Sequence, residues 1–189
     1  MRIIFALLAL TVLSACATDN CSYKTVNGRC LGNGEFAVIH KDESKLYGLP
    51  EVKERVTKVK ARNIHNIYEE IIYLNNGIFK LSRSLRGGYY NRFNESEFRK
   101  IVSGWTVYGT KVNGGALDIK LENGIRYAEF TRPNKQCLFG QILLGQTREL
   151  VHGSGRQAVF NGFTCVPDIY EKEKFLNEFV TSLNKLQLK

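Results

Sequence analysis

Residues 116–131 read ALDIKLENGIRYAEFT, and this stretch decides the fold that the sequence predicts. Apolar and polar residues alternate on both sides of Asn123-Gly124, as they do in strands that bury one face. An Asn-Gly pair between two such runs is the strongest short-range signal for a β-hairpin. The stretch therefore predicts strands over 116–121 and 125–131, joined by a tight turn.

Further strands are predicted on both sides of this hairpin, each bounded by glycine or asparagine turns. They cover residues 35–40, 78–85, 105–112, 136–144 and 157–166. Strands that follow one another after short turns usually pair as antiparallel neighbours. From Trp105 onward, the pattern therefore predicts a β-meander.

The region between residues 50 and 76 predicts the longest helix. Its apolar residues recur at intervals of three or four residues, with one longer step of about two helical turns between Val59 and Ile67. They are Val52, Val56, Val59, Ile67, Ile71 and Leu74. Such spacing places them along one face of a helix. Pro50 suits a helix start, and Asn76-Gly77 suits a helix end.

Basic residues occupy the other faces of this predicted helix: Lys53, Arg55, Lys58, Lys60 and Arg62. The simplest interpretation is a solvated face, and contact with a membrane or a partner is the alternative. His65 and Glu69, four residues apart, predict a side-chain pair on the helix. Two ligands alone do not make a metal site.

Two shorter helices complete the prediction. One follows Asn94, a suitable N-cap with Glu97 at the capping-box position, and the other follows Asp168. The C-terminal helix has an apolar stripe of Phe175, Phe179, Leu183 and Leu186. The predicted fold class is α+β, an antiparallel β-meander sheet packed by a long central helix and a C-terminal helix. A length of 189 residues suits one domain, over residues 22–189.

The first fifteen residues predict a secretory signal peptide. Met1-Arg2 gives a short cationic start, residues 3–13 form an apolar run, and Ser14-Ala15 supply small residues before Cys16. The apolar run is too short to cross a bilayer, which takes about 20 residues. Export of the mature chain is therefore expected.

The string Leu13-Ser14-Ala15-Cys16 resembles the lipobox of bacterial lipoproteins. In that family the chain is cut before the cysteine, so the resemblance implies acyl chains on Cys16 and membrane anchoring through residues 16–21, the lipidated N-terminus and its short tether. Ala17 in place of Asp implies the outer membrane of a Gram-negative cell. A Gram-positive source would place the protein on the outer face of the plasma membrane. Ordinary cleavage at Ala15-Cys16-Ala17 is the alternative and would release the protein.

Four cysteines remain after the signal peptide and Cys16: Cys21, Cys30, Cys137 and Cys165. An even number in an exported chain indicates disulfides, and four cysteines allow three pairings. We favour Cys21–Cys30 with Cys137–Cys165, because neighbours in the sequence close first. A zinc site is the weaker alternative, since the chain has no Cys-x-x-Cys and the spacings are wide.

The chain is basic, with a net charge of +9 that becomes +8 when Arg2 leaves with the signal peptide. Such an excess predicts acidic partners. The candidate binding surface is a segment that mixes basic and aromatic side chains: Arg83, Arg86, Tyr89, Tyr90 and Arg92. We expect an acidic protein or an anionic envelope polymer as the partner, and a segment without a binding role is the alternative. Nucleic acid is disfavoured, because the chain is exported and carries no nucleic-acid motif.

Signals for catalysis are weak. Residues 152–156 read HGSGR, which lacks the Gly-x-Ser-x-Gly spacing of hydrolases and predicts a turn. An acid–base pair of Asp118 or Glu129 with His40 or His152 is open, but nothing in the sequence brings these residues together. We predict no cofactor and no metal.

We therefore expect a non-catalytic binding or accessory protein of the envelope: a secretion or conjugation component, an exclusion or immunity protein, or a surface antigen. An envelope hydrolase acting on a cell-wall or lipid substrate is the alternative.

Overall fold

Antiparallel strands dominate the computed structural model, which describes Gly28, Cys30 and Leu31 and residues 34–47, 54–84, 94–146 and 156–188. Its main elements are, in chain order, β1 (Ala37–Ile39), β2 (Leu46–Tyr47), β3 (Val56–Ile64), β4 (Ile67–Leu74), β5 (Gly77–Ser84), α1 (Glu95–Ser103), β6 (Thr106–Val107), β7 (Thr110–Lys111), β8 (Ile119–Glu122), β9 (Ile125–Arg132), β10 (Lys135–Gln146), β11 (Arg156–Pro167), α2 (Lys172–Asn184) and β12 (Gln187–Leu188). Eight strands of this part of the chain form one sheet in the order β1-β3-β4-β5-β11-β10-β9-β8. The pairs β2–β12 and β6–β7 form two small separate sheets.

The predicted long central helix is wrong, because β3 and β4 are the two strands of a hairpin. Burial along both strands alternates with a period of two rather than following a helical repeat. The chain reverses at His65, whose φ of 52° is in the left-handed region that a tight turn uses. Valine and isoleucine are frequent in both segments, and their branched side chains favour strands. The fold is mainly β and lacks the α+β arrangement around a long helix.

The predicted hairpin at residues 116–131 is present as β8 and β9, which pair around the Asn123-Gly124 turn. β10 and β11 extend the meander, and β11 also pairs with β5, which joins the two halves of the sheet. The single strand expected over 105–112 is wrong. Instead β6 and β7 make a small hairpin around Tyr108 and Gly109, whose φ values are 50° and 78°.

The helix α1 covers one face of the sheet. It begins where predicted, and Asn94 Oδ1 accepts a hydrogen bond of 2.9 Å from the N–H of Glu97. Its buried residues pack with side chains from β9, β10 and β11 in one apolar cluster: Phe98, Val102, Val107, Val112, Ala128, Phe130, Cys137, Phe139, Phe163 and Cys165. This cluster is one of two cores, and it lies on the α1 face.

The helix α2 covers the opposite face. It begins at Lys172 rather than directly after the predicted cap Asp168, and the whole predicted apolar stripe is buried. A Cβ atom at Gly140 would lie 2.6 Å from Phe179 Cζ and 2.7 Å from Leu183 Cδ1. The missing side chain on β10 therefore permits the close approach of α2 to the sheet.

A fully buried carboxylate, Glu70, ties β4 to the segment that precedes β2. It accepts hydrogen bonds from Ser44 Oγ, from the Lys45 N–H at 2.9 Å and from the Tyr68 hydroxyl at 2.9 Å. Buried polar groups are stable only when paired in this way. Glu70 therefore has a structural role.

Candidate functional site

Four basic side chains lie on the same face of the sheet, on β3 and β5, and we call this face the basic face: Lys58, Lys60, Arg62 and Lys80. They share one side of the sheet, because residues opposite each other on antiparallel strands point the same way. Lys58 is opposite Tyr73, which is opposite Ile78, and Ile78 packs against the core on the α1 face. The basic face is thus on the α1 side and faces away from α2.

Spacing along β3 gives the basic face a regular array of charge. Side chains two residues apart on a strand are separated by about 6.6 Å. Lys58, Lys60 and Arg62 therefore form a row of three cations along β3. Lys80 adds a fourth cation, two strands away.

Glu69 on β4 neutralises part of the basic face. Its Oε2 accepts hydrogen bonds from Arg62 Nε at 2.7 Å and Nη2 at 2.5 Å, and its Oε1 is 2.6 Å from Lys80 Nζ. Burial opposes the ionisation of this carboxyl, but the hydrogen bonds and charges of Lys80 and Arg62 outweigh it. They hold the pKa of Glu69 below its ordinary value.

Lys58 and Lys60 form no ion pair with any residue that the structure describes. Lys60 Nζ lies 5.9 Å from the centre of the Tyr73 ring, within reach of a cation–π contact. The guanidinium group of Arg62 stacks over Phe36, with 4.2 Å between Arg62 Cζ and the centre of the ring. The face therefore combines unpaired ammonium groups with aromatic rings, a mixture that suits an anionic ligand.

A row of polar residues continues across the sheet from Lys80. Lys80 is opposite Asn161, Asn161 is opposite Gln141, and Gln141 is opposite Arg126. Gln141 and Asn161 are only 3% and 6% exposed. The Gln141 Oε1 atom accepts no hydrogen bond from the described part of the chain. These two amides lie between the basic face and the core under α1.

The predicted binding segment is placed in part. Arg83 lies near the end of β5 and is half-buried, and strand alternation directs it to the α2 face, opposite to Lys80. Arg86, Tyr89, Tyr90 and Arg92 lie outside the described residues. Their role in binding stays a prediction.

The pairing of Cys137 with Cys165 is confirmed. The two residues are opposite each other on β10 and β11, with 4.1 Å between their Cα atoms. Asn76 holds Cys165 from the other side, since its carbonyl accepts the Cys165 N–H at 2.8 Å and its Nδ2 donates to the Cys165 carbonyl at 2.9 Å. Cys30 is also disulfide-bonded. Its predicted partner Cys21, like Cys16, lies outside the described residues.

The residues considered for acid–base catalysis have other contacts. Glu129 forms ion pairs with Lys172 Nζ at 2.6 Å and with Lys120 Nζ at 3.2 Å. Burial raises the pKa of the Glu129 carboxyl, but the two lysines outweigh this effect and hold the pKa below its ordinary value. His40 caps a short 3-10 turn, where its Nδ1 accepts the Asp42 N–H at 3.4 Å. Asp118 is exposed, and His152 lies outside the described residues.

The side-chain pair expected for His65 and Glu69 is wrong. His65 is exposed in the β3–β4 turn, whereas Glu69 binds Arg62 and Lys80. Within the described ranges, no group of three or more His, Cys, Asp or Glu residues is arranged to hold a metal ion.

Sequence reasoning missed the basic face as a sheet surface, although a signal was present. Lys58, Lys60 and Arg62 are spaced by two residues, which is the strand repeat and not a helical one. Lys80 alternates with the apolar Phe79 and Leu81 along its strand, but its neighbours on other strands depend on register. Asn161 and Gln141 carry no local signal, because nothing in the sequence shows that their strands are adjacent.

Comparison with known proteins gives no relative from which to transfer a function. No protein-family model matches the chain, and no match was found among curated proteins or solved structures. In the described part of the chain, no helix has the length and apolar character needed to cross a membrane.

Proposed function

We propose that this protein is a non-catalytic accessory lipoprotein of the bacterial envelope, which binds an acidic protein or an anionic envelope polymer through the basic face. The observation that carries the proposal is that Lys58 and Lys60 lie on the α1 side of β3 without an ion pair among the described residues. On β3, β4 and β5, four cations share this face with one carboxylate, that of Glu69. Such a surface attracts anions at long range and retains them at short range.

The location rests on the N-terminal sequence and on the disulfide. The signal peptide and the lipobox-like string that ends at Cys16 support export and acylation, with Ala17 favouring the outer membrane. The Cys137–Cys165 disulfide agrees with folding in an oxidising compartment. Residues 17–20 span at most about 14 Å between the acylated residue and Cys21. The anchored domain would therefore hold its partner close to the membrane.

The geometry of β3 favours a partner with repeated negative charge. Three cations at intervals of about 6.6 Å can contact several anionic groups of one extended chain at once. A single small anion would use only a part of this row. The segment with Arg86 and Arg92, which follows β5 directly in the sequence, is a second candidate for contact with the same partner.

The test is to reverse charge at the basic face and to measure binding to poly-L-glutamate. Lys58→Glu combined with Lys60→Glu should weaken binding of the purified mature protein at least 10-fold. The matched control is Lys174→Glu with Lys185→Glu on the α2 side, which changes the net charge equally. This control should retain most of the affinity. Equal losses in both variants would show that only net charge matters and would contradict the proposed face.

A further inference from the structure

We propose that the protein self-associates through β8, whose free edge pairs in the antiparallel direction with β8 of a second copy. The twofold axis of this pairing passes through the pair of Leu121 residues, so Lys120 of each copy lies opposite Glu122 of the other. The inference goes beyond the proposed function and does not depend on the identity of the anionic partner.

β8 is the last strand at one side of the eight-strand sheet. Its outer edge pairs with no strand in the part of the chain that the structure describes. Residues 120–122 are all exposed, and the apolar side chain of Leu121 is among them, with 60% of the residue accessible. An open edge of this kind presents unpaired N–H and C=O groups that a strand of another chain can bind.

The backbone groups at the centre of this edge belong to Leu121. Glu122 and Ile125 close the two-residue turn that follows β8, and such a closing pair exchanges its hydrogen bonds within the hairpin. Hydrogen-bonded and non-hydrogen-bonded pairs alternate along an antiparallel ladder, so the next pair, Leu121 with Arg126, is non-hydrogen-bonded. The N–H and C=O of Leu121 therefore point outward, where two copies of this residue can exchange two hydrogen bonds.

The side chains of β8 are self-complementary in this register. The strand reads Ile-Lys-Leu-Glu, and reversal about Leu121 brings Lys120 opposite Glu122 twice. Both side chains are on the α2 face, since they lie opposite residues of β9 that belong to the core under α2. Opposite charges on directly opposed residues stabilise a strand pair, whereas like charges disfavour it. Parallel pairing in register would bring Lys120 beside Lys120, so the charges select the antiparallel arrangement.

Contacts within one copy leave both charges available for the second copy. Lys120 Nζ lies 3.2 Å from Glu129 Oε1, but the Lys120 side chain is 46% exposed and its ammonium group carries three donors. Glu122 Oε2 accepts the Tyr127 hydroxyl at 3.2 Å, which leaves its other oxygen as an acceptor. Glu122 forms no ion pair with a described residue. A lysine of a second copy therefore gives this carboxylate an ionic partner.

The size of the contact sets the strength that we expect. Pairing of two four-residue strands buries less than the roughly 1,200–2,000 Å² of a stable protein complex, even with the two Leu121 side chains against each other. We therefore expect weak, rapidly reversible association that increases with protein concentration. Sedimentation of the purified mature protein over a wide concentration range measures it.

Two single charge reversals and their mixture test the register. Lys120→Glu and Glu122→Lys each bring like charges together across the axis, so each variant alone should dimerise at least 10-fold more weakly than the wild-type protein. In an equimolar mixture the two variants again oppose unlike charges, and the dimer should return. Lys41→Glu and Glu54→Lys are the matched controls, because they make the same charge changes at exposed positions next to β1 and β3, across the sheet from β8. Each control should associate like the wild-type protein.

Leu121→Pro tests the backbone pairing. Proline removes the N–H that points outward and leaves the hydrogen bonds between β8 and β9 in place, so the variant should fold and remain monomeric. If it does not fold, the mixture of charge variants decides. A wild-type protein that is monomeric at every concentration overturns the proposal and assigns to Lys120 and Glu122 only the protection of a free edge. A mixture that stays monomeric, or a dimer that survives Leu121→Pro, also overturns it, and none of these outcomes changes the expected binding of polyanions by the basic face.

Discussion

Lys80 on β5 forms an ion pair with Glu69 on β4, with 2.6 Å between Nζ and Oε1, at the centre of the basic face. Arg62 binds the other oxygen of the same carboxylate. Glu69 is therefore the single acidic residue on β3, β4 and β5 that lowers the positive charge of this surface. Its removal affects stability and binding in opposite directions.

Replacing Glu69 with glutamine should destabilise the protein at pH 7 and tighten its binding to polyanions. The lost hydrogen bonds to Arg62 and Lys80 are charge-assisted, and their loss should cost about 1–2 kcal/mol of unfolding free energy. Binding to poly-L-glutamate should strengthen several-fold, because two cations are released from their partner. Chemical denaturation and titration of the same samples measure the two effects.

The acid dependence of stability provides a second readout for Glu69. The pKa of Glu69 is depressed in the folded protein. Its contribution to the free energy of unfolding is therefore present above the ordinary pKa of 4.5 and is lost as the pH falls through the folded pKa. Glu69→Gln should therefore show a smaller loss of stability below about pH 4.5. Glu129→Gln is the matched control, since its pKa is also lowered, and it should change the acid dependence without tightening polyanion binding. Unchanged polyanion binding in Glu69→Gln would contradict the electrostatic role of this residue.

Local sequence patterns predicted the elements whose signals lie within a few residues. The Asn123-Gly124 turn, the Asn94 cap and the apolar stripe of α2 are of this kind, and each is present. The helix predicted between residues 50 and 76 failed because apolar residues on both faces of two strands simulate a helical spacing. Val59 faces α2, whereas Ile71 faces the other way.

The candidate site was harder to predict than the fold elements, because it is assembled by register. Lys58, Lys60 and Arg62 were noted as a charge run, but their shared face follows only from the strand. Lys80, Asn161 and Gln141 come from three strands, of which β5 and β11 are 72 or more residues apart in the sequence. No short-range rule brings β5 beside β11, so the polar row appears only in three dimensions.

Removal of the Cys137–Cys165 disulfide should destabilise the protein strongly without changing the order of the strands. The bond closes a separation of 28 residues, which corresponds to about 3–4 kcal/mol of unfolding free energy in the chain-entropy account. Denaturation of Cys137→Ala with Cys165→Ala measures this loss.

Mass spectrometry under non-reducing conditions should find no free thiol in the mature wild-type chain. Two titratable thiols would contradict the pairing of Cys21 with Cys30.

Gly140→Ala should destabilise the packing of α2 on the sheet. The added methyl group would lie 2.6 Å from Phe179 Cζ and 2.7 Å from Leu183 Cδ1, so the helix or these side chains must move. Overpacking of this kind costs about 1–3 kcal/mol. Gly115→Ala is the control, because its added Cβ would meet only Asn113 Oδ1, at 3.4 Å. Thermal denaturation of the two variants should separate them, and equal stability would refute the proposed close approach.

Cys16→Ser should abolish labelling of the protein by a radioactive or clickable fatty acid and should move it from the membrane to the soluble fraction. The expectation follows from the lipobox-like string, in which the cysteine carries the acyl chains. Cys21→Ser should retain the label, because Cys21 is assigned to a disulfide. Membrane association that survives Cys16→Ser would rule out the lipid anchor.

Lysine acetylation in native membranes tests the central claim most directly. If the basic face binds an anionic envelope partner, Lys58 and Lys60 should react several-fold more slowly in isolated membranes than in the purified protein, while Lys174 and Lys185 react alike in both. High salt should remove the difference, since it screens exposed charges. Equal reactivity of Lys58 and Lys60 in membranes and in purified protein would contradict the account.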